Sequence, residues 1–307
     1  MSIFISIASY RDARLWPTVA DALALAADPA GLHFAVVDQS DVADEPAPAL
    51  AKLAGSLHYL HIHHRFSRGP CWARSIAASY CQSQDYFLQL DAHMVFDQDW
   101  DRTLVETMQS LADRNPRSII STYPAPYVME NGLVVRKPFT GQALALEPKP
   151  GSVLAEDSPV LAFRSRPVTT TEAIPGWHVG AGCLFAHASL IAEVPYDPWI
   201  YFHGEEQNLA TRAWTRGWDI LHTPDMPIYH LYHTGDTRAV HWAEGDDNTR
   251  QVRWWELEKQ SKERMRALLY DRADLGAYGL GTERSLAEFA EFSGIDYQHR
   301  TCRAAAA

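Results

Sequence analysis

The chain has 307 residues, 47% of them apolar and 21% charged, and its 27 basic and 38 acidic side chains leave a formal net charge of −11. This is ordinary globular composition, long enough for one or two domains with a substantial core. The acidic surplus argues against nucleic acid or an anionic membrane as the main partner, because both demand an excess of Lys and Arg.

No apolar run reaches the ~18 residues of a membrane-spanning helix, so no transmembrane segment is expected. The stretch Met1-Ser2-Ile3-Phe4-Ile5-Ser6-Ile7 lacks the basic start of a signal peptide and reads as a strand. Cys71, Cys81, Cys183 and Cys302 are too few and too irregular for a disulfide framework or a zinc site. A reduced, cytoplasmic protein is the expectation.

In chain order, residues 3–8 form a β-branched run that predicts the first strand, ending in the loop Ser9-Tyr10-Arg11-Asp12. Residues 16–27 have helical spacing, with Pro17 acceptable in the first turn, and Asp28-Pro29-Ala30-Gly31 stops them. Strands follow at 32–37, 57–63, 86–90 and 118–121, and helices at 48–54, 70–81 and 100–111. Strands that are nearly continuous apolar runs, alternating with helices, predict an α/β fold with a mostly parallel central sheet covered on both faces. Ligands sit beyond the carboxyl ends of such strands, which singles out the loops after Ala8, Val37, His63 and Leu90.

Residues 123–175 are rich in Pro, Thr and Ser and are broken by Gly132, Gly141 and Gly151. They predict loops and short hairpins inserted in the domain, the usual place for substrate contacts. Residues 179–186 predict an apolar strand containing Gly180 and Gly182. Residues 208–215 predict a helix ended by Gly217, 242–270 a charged helical stretch, and 285–292 a short helix.

Four clusters could carry chemistry. Asp91-Ala92-His93 directly follows the apolar run Tyr86-Phe87-Leu88-Gln89-Leu90. In an extended segment, residues two apart point the same way, so a carboxylate and an imidazole can grip one ion. Mixed oxygen and nitrogen ligation suits Mn²⁺, with Mg²⁺ the alternative, and leaves positions free for phosphate oxygens. The second cluster is Arg68-Gly69-Pro70-Cys71-Trp72-Ala73-Arg74, a helix start whose free N–H groups and flanking cations suit an anion.

The third is Trp199-Ile200-Tyr201-Phe202-His203-Gly204-Glu205-Glu206. Its paired carboxylates could face a substrate hydroxyl, and Trp199 and Tyr201 could stack on a sugar. The fourth is Ile228-Tyr229-His230-Leu231-Tyr232-His233, a strand end whose histidine could complete a metal site begun at Asp91. A rival cluster, His58, His61, His63 and His64, lacks a nearby carboxylate and leads into Arg65 and Arg68.

Four ordered segments together resemble glycosyltransferase family 60: Ile5-Ser6-Ile7-Ala8-Ser9-Tyr10-Arg11-Asp12, Arg68 to Arg74, Asp85 to Met94, and His203-Gly204-Glu205-Glu206. The similarity spans about residues 3 to 295. It includes Gly281-x-x-Arg284-Ser285-Leu286 and Gly294-Ile295-Asp296. That family includes cytoplasmic polypeptide N-acetylglucosaminyltransferases that modify hydroxyproline on a ubiquitin-ligase subunit. The resemblance implies a GT-A fold, a UDP-N-acetylglucosamine donor, Mn²⁺ dependence and retention of anomeric configuration.

Carried over residue by residue, the resemblance assigns Asp91 and His93 to the metal motif and His230 to the late metal histidine, with His233 as competitor. It places Ser9, Tyr10, Arg11 and Asp38 on the uridine. Arg68, Gly69, Arg74, Gln89 and Ala92 fall on the donor side. Trp177, Gly182, Trp199, Tyr201 and His203 fall near the sugar or acceptor, and Glu205 and Glu206 join Asp91 as the catalytic carboxylates. The implied division is a catalytic domain over 1–240, split after 122 into nucleotide-binding and acceptor-side halves, a helical extension over 241–303 and a tail over 304–307.

The expected acceptor bears a hydroxyl, on a hydroxyproline-type peptide, a bacterial glycan or a small molecule. The other expected partner is the UDP-sugar donor. Front-face substitution and double displacement through Glu205 or Glu206 both remain open at this point. So do other donor sugars (N-acetylgalactosamine, glucose, galactose). A non-catalytic sugar-nucleotide-binding protein and a metal-dependent phosphohydrolase are the rivals from other classes.

Overall fold

A computed structural model describes residues 1–112, 114–232, 239–242 and 249–303. The strands are β1 (Ile3–Tyr10), β2 (Leu32–Gln39), β3 (Ser56–His61), β4 (Tyr86–Asp91), β5 (Met94–Phe96), β6 (Ser118–Ser121), β7 (Ala125–Glu130) and β8 (Leu133–Arg136). They continue with β9 (Gln142–Pro148), β10 (Phe163–Thr169), β11 (Ile174–Gly176), β12 (Cys183–His187), β13 (Asp219–His222), β14 (Ile228–His230), β15 (Ile295–Asp296) and β16 (Thr301–Cys302). The helices are α1 (Leu15–Leu25), α2 (Pro48–Leu53), α3 (Pro70–Ala78), α4 (Trp100–Ala112), α5 (Ser189–Glu193), α6 (Glu205–Thr215), α7 (Trp254–Leu269) and α8 (Leu286–Ser293).

The central sheet runs β11-β13-β6-β12-β4-β1-β2-β3. Strands β1 to β4 are mutually parallel, as expected. Strand β12 lies antiparallel between β4 and β6, so the fifth expected strand is not a direct neighbour of the fourth. Side chains alternate along β1. Ile3, Ile5 and Ile7 pack with α1 and α4 on one face. Phe4 packs with α3 and α6 on the other. Helices therefore cover both sheet faces.

A second sheet, β5-β14-β7-β8, starts from the chain immediately after β4. The inserted region is more ordered than expected. Asn131 and Gly132, both at positive φ, close the β7–β8 hairpin, and β9 and β10 pair over seven residues. Among the described residues of the charged stretch at 242–270, the helix runs from Trp254 to Leu269, and the Glu256 carboxylate accepts the Arg253 N–H at its start at 3.2 Å. Residues 243–248 lie outside the described residues, as does the tail at 304–307. Helices α7 and α8 share a core with Leu154, Leu161 and Phe163 of the insertion.

Candidate active site

Strand β4 ends at Asp91, and the chain turns into β5 through Ala92 and His93. Thr18 of α1 fixes that turn: its hydroxyl accepts the Met94 N–H at 2.9 Å and lies 3.0 Å from the Ala92 carbonyl. Strand β14 pairs antiparallel with β5, placing His230 opposite Met94. The two imidazoles thereby meet, with 2.9 Å between their Nε2 atoms. His230 Nε2 is 3.1 Å from Asp91 Oδ2, and His93 Nε2 is 3.8 Å from the same oxygen.

Among the described residues, Asp91, His93 and His230 are the group whose donor atoms converge, all within 4.8 Å of one another. Cis ligands of an octahedral ion with ~2.1 Å bonds lie ~3 Å apart, so the spacing suits a small divalent cation. His93 Nδ1 lies 2.8 Å from Asp12 Oδ2. A carboxylate can only accept, so the proton sits on Nδ1 and the Nε2 lone pair faces the cluster centre. Such outer partners orient metal-binding histidines.

The other Asp91 oxygen, Oδ1, accepts from Arg74 Nη2 at 2.7 Å. Arg74 also donates to Glu205, which accepts from the Tyr196 hydroxyl as well. Burial alone would raise the Asp91 carboxyl; the His230 hydrogen bond and the Arg74 charge carry it well below the usual carboxylate range. Burial raises Glu205 despite the opposing pull of Arg74. Gly182 backs the cluster: a Cβ there would stand 2.5 Å from Asp91 Oδ2.

Glu206 is held by three donors. Its Oε1 accepts the Ala181 N–H at 2.8 Å, and its Oε2 accepts from Tyr123 and lies 3.3 Å from His178 Nε2. His178 lies flat on Phe163, ring centres 3.4 Å apart. A cavity of about 310 Å³ opens here, lined by Arg74, Asp91, Gly182, His203, Glu205 and Glu206. It meets a second cavity of about 290 Å³ at Asp91, lined on its far side by Ser9, Tyr10, His93 and His230. A third, of about 470 Å³, follows beyond Asp12 and holds Arg11 and Asp38.

The cleft therefore runs along the carboxyl ends of β4, β1 and β2, as expected of an α/β sheet. Ser9 Oγ is buried with no hydrogen-bond partner. Tyr10 accepts from Arg250 at 2.6 Å and packs against His241. Burial, with the Arg250 charge beside it, pushes His241 down to about 3.

Several expected site residues lie elsewhere. Gln89 is fully buried and donates to the Ala181 carbonyl and the Tyr196 hydroxyl, bracing the sheet below the site. Tyr201 is buried with its hydroxyl 2.6 Å from His241 Nδ1, so its ring offers no face to a sugar. Trp199 points outward, 56% exposed, and Trp177 packs edge-on against Phe292. Phe202, between the two orientations, reaches both cavities instead.

Arg68 is exposed and does not line the cleft, while Arg74 is buried and ion-paired rather than solvated. Gly69 stays close by; its φ of +94° and a Cβ 2.7 Å from Tyr201 require glycine. Asp38 reaches the third cavity, its carboxylate engaged by Ser40 and Tyr59. Ala92 lines the second cavity. In the rival histidine cluster, His61 meets the Ser40 carbonyl and His58 stacks on Tyr80. His233 lies outside the described residues. Asp12, Tyr123, His178 and Tyr196 carried no local signal, because each becomes a neighbour only through tertiary packing.

A parallel α/β core with an antiparallel strand beside the metal-motif strand defines a GT-A glycosyltransferase fold. The chain belongs to the GlcNAc glycosyltransferase family, whose model, Glycosyltransferase (GlcNAc), matches residues 2–58 and 50–299. Among solved structures it is similar to GalNAc-T7, crystallised with UDP, GalNAc and Mn²⁺, at a TM-score of 0.58 and 15% identity. The match covers 98% of this chain and 58% of that one, so the chain spans little more than half of GalNAc-T7. It is also similar to S. aureus TarS, at 12% identity and a TM-score of 0.47, over 76% of this chain and 37% of TarS. No curated protein matches the chain. Among the described residues, no helix is long and apolar enough to cross a membrane.

Proposed function

We propose that the chain is a Mn²⁺-dependent, retaining glycosyltransferase that moves N-acetylglucosamine from UDP-N-acetylglucosamine to a hydroxyl acceptor, in the manner of glycosyltransferase family 60. The observation that carries this is the convergence of Asp91, His93 and His230 where two cavities meet, with a third continuing beyond Asp12. Those residues would hold the cation, which when bound offsets the diphosphate charge that grows as the glycosidic bond breaks. Ser9, Tyr10, Arg11 and Asp38 would take the nucleoside, and Gly182, Glu206 and His203 would surround the sugar and the incoming hydroxyl. The division into a catalytic body over 1–240 and a helical extension over 241–303 belongs to the same proposal.

The carboxylates bear on the reaction course. Glu205 is buried and bonded to Arg74 and Tyr196. Both oxygens of Glu206 are already engaged. Neither is a free nucleophile, which favours front-face substitution over a covalent intermediate. Arg74 and Glu205 instead hold Asp91 in place.

Calorimetry of UDP and UDP-sugars with and without Mn²⁺ tests the reading. UDP should bind only with the metal, EDTA should abolish binding, and Asp91→Ala should abolish it in a protein that circular dichroism shows to be folded, though less stable because Arg74 loses one of its two carboxylates. Wild-type protein that ignores UDP in the presence of Mn²⁺ would sink the proposal. Preferential turnover of UDP-galactose, UDP-glucose or UDP-N-acetylgalactosamine would replace the donor, and tight binding without turnover would leave a sugar-nucleotide-binding protein.

A further inference from the structure

His203 lies at the mouth of the sugar-side cavity, and the structure supports it from behind. Its ring is 55% exposed, while Nδ1 sits 3.1 Å from Oε1 of Glu258 on α7. The Glu258 side chain is only 13% exposed, and its Oε2 is buried without a hydrogen-bond partner. One face of α7 grips the turn at 203–204 through positions 258, 261 and 265, which share a side of the helix. The Ser261 hydroxyl donates to the His203 carbonyl at 3.4 Å. A Cβ at Gly204 would stand 3.0 Å from Met265 Cγ, so a glycine at φ +90° lets the turn press against the helix. The Phe202 and Trp242 rings flank the imidazole, at 5.2 and 6.1 Å between centres.

A carboxylate mostly withdrawn from water is costly unless it is put to use. Here it fixes one tautomer: the proton resides on Nδ1 beside Glu258, and the Nε2 lone pair is left free on a ring that lines the cavity. An imidazole oriented by a carboxylate and lining a substrate cavity is the arrangement of a general base.

We propose that His203 and Glu258 form the acceptor-side proton-accepting pair of this site, with His203 as the base and Glu258 as its positioning residue. The proposal rests on the glycosyl-transfer reading. As the acceptor oxygen bonds to the anomeric carbon, its O–H proton passes to His203 Nε2. The bond from that carbon to the diphosphate oxygen breaks, and its electron pair stays on UDP. The proton thus leaves by way of the imidazole rather than the departing phosphate, and the imidazolium later gives it to water. Glu258 carries Lys262 at 3.9 Å, while Arg74, Asp91, His178, Glu205 and Glu206 line the same cavity and complete the charged surroundings.

Water can stand in for the acceptor, so the test is UDP release from UDP-N-acetylglucosamine with Mn²⁺, measured against pH. His203→Gln should lower kcat roughly 100-fold. It should leave the Kd for UDP with Mn²⁺ within about twofold and remove the acid limb of the wild-type pH profile. Glu258→Gln keeps an acceptor for Nδ1–H and should retain part of the rate, whereas Glu258→Leu should fall to the level of His203→Gln. Wild-type kcat and an unchanged pH profile in His203→Gln would overturn the pair. Absence of UDP binding in the wild type, or UDP binding with no release from the donor at any pH, would instead overturn the transferase reading on which the pair rests.

Discussion

Gly182→Ala isolates the geometry of the metal cluster from its chemistry. The added methyl carbon would stand 2.5 Å from Asp91 Oδ2 and 3.0 Å from its Cγ. A carbon–oxygen contact relaxes at ~3.3 Å, so the carboxylate must withdraw by ~0.8 Å. It has no easy direction to go. Oδ1 is tied to Arg74 at 2.7 Å, and Arg74 is tied in turn to Glu205. Metal sites tolerate displacements of only ~0.2 Å, and disturbing the partners of a ligand already costs 10–100-fold in affinity, so we expect Mn²⁺ to bind about 100-fold more weakly. Gly182 is not among the positive-φ glycines, so alanine is admissible in the backbone; the protein should still fold, with the crowding at Asp91 costing about 1–3 kcal/mol of stability. Free Mn²⁺ measured by electron paramagnetic resonance during a titration gives the affinity directly. A folded Gly182→Ala protein that binds Mn²⁺ within threefold of the wild type would refute the argument that this glycine exists to seat Asp91.

Asp12→Asn should weaken Mn²⁺ binding about 10–100-fold, because the proton on His93 Nδ1 loses its anionic partner; the same titration reads it. Glu205→Leu should cost about 3 kcal/mol in urea unfolding by leaving Arg74 with Asp91 alone, and Arg74→Met added to it should recover much of the loss. Equal stability of the single variant and the wild type would contradict the role given to that ion pair. His222 gives a pH test away from the cleft. Its Nδ1 meets the Ser121 carbonyl at 2.6 Å and its Nε2 accepts the Leu146 N–H, so the neutral ring is fully bonded, and burial holds its pKa down to about 4. Because the unfolded chain takes up the proton first, stability is complete above pH 6.5 and falls as pH drops toward 4, by about 3 kcal/mol at ~1.4 kcal/mol per pH unit. Unfolding curves for His222→Gln should lose most of that slope, and an unchanged slope would count against the assignment.

What the sequence disclosed follows from the reach of its signals. The strand β1 announces itself because Ile3, Phe4, Ile5 and Ile7 are buried on both faces, and Asp91-Ala92-His93 because a two-residue spacing at a strand end is a local fact. The antiparallel course of β12 was invisible, since a strand buried on both sides reads the same in either direction. The aromatic run before Glu205 shows the cost of a one-residue ambiguity. Trp199 turns out, Tyr201 turns in, and Phe202 takes the place at the cavity that its neighbours were expected to fill.

The non-local parts of the site share one cause. His230 reaches His93 across 137 residues because β14 zips onto β5, and Glu258 reaches His203 across 55 because α7 packs on the turn before α6. In both cases the short-range motif supplies one half of a pair, and a backbone element with no chemical signature of its own delivers the other. The Asp91 end of the cleft is built on the sheet, while the His203 end depends on a helix whose sequence reads only as charged surface. Chemistry at the first end is therefore legible from spacing. At the second it becomes visible only once the packing of α7 is known, which is why the proton-accepting pair rather than the metal group is the sharper test of the structure.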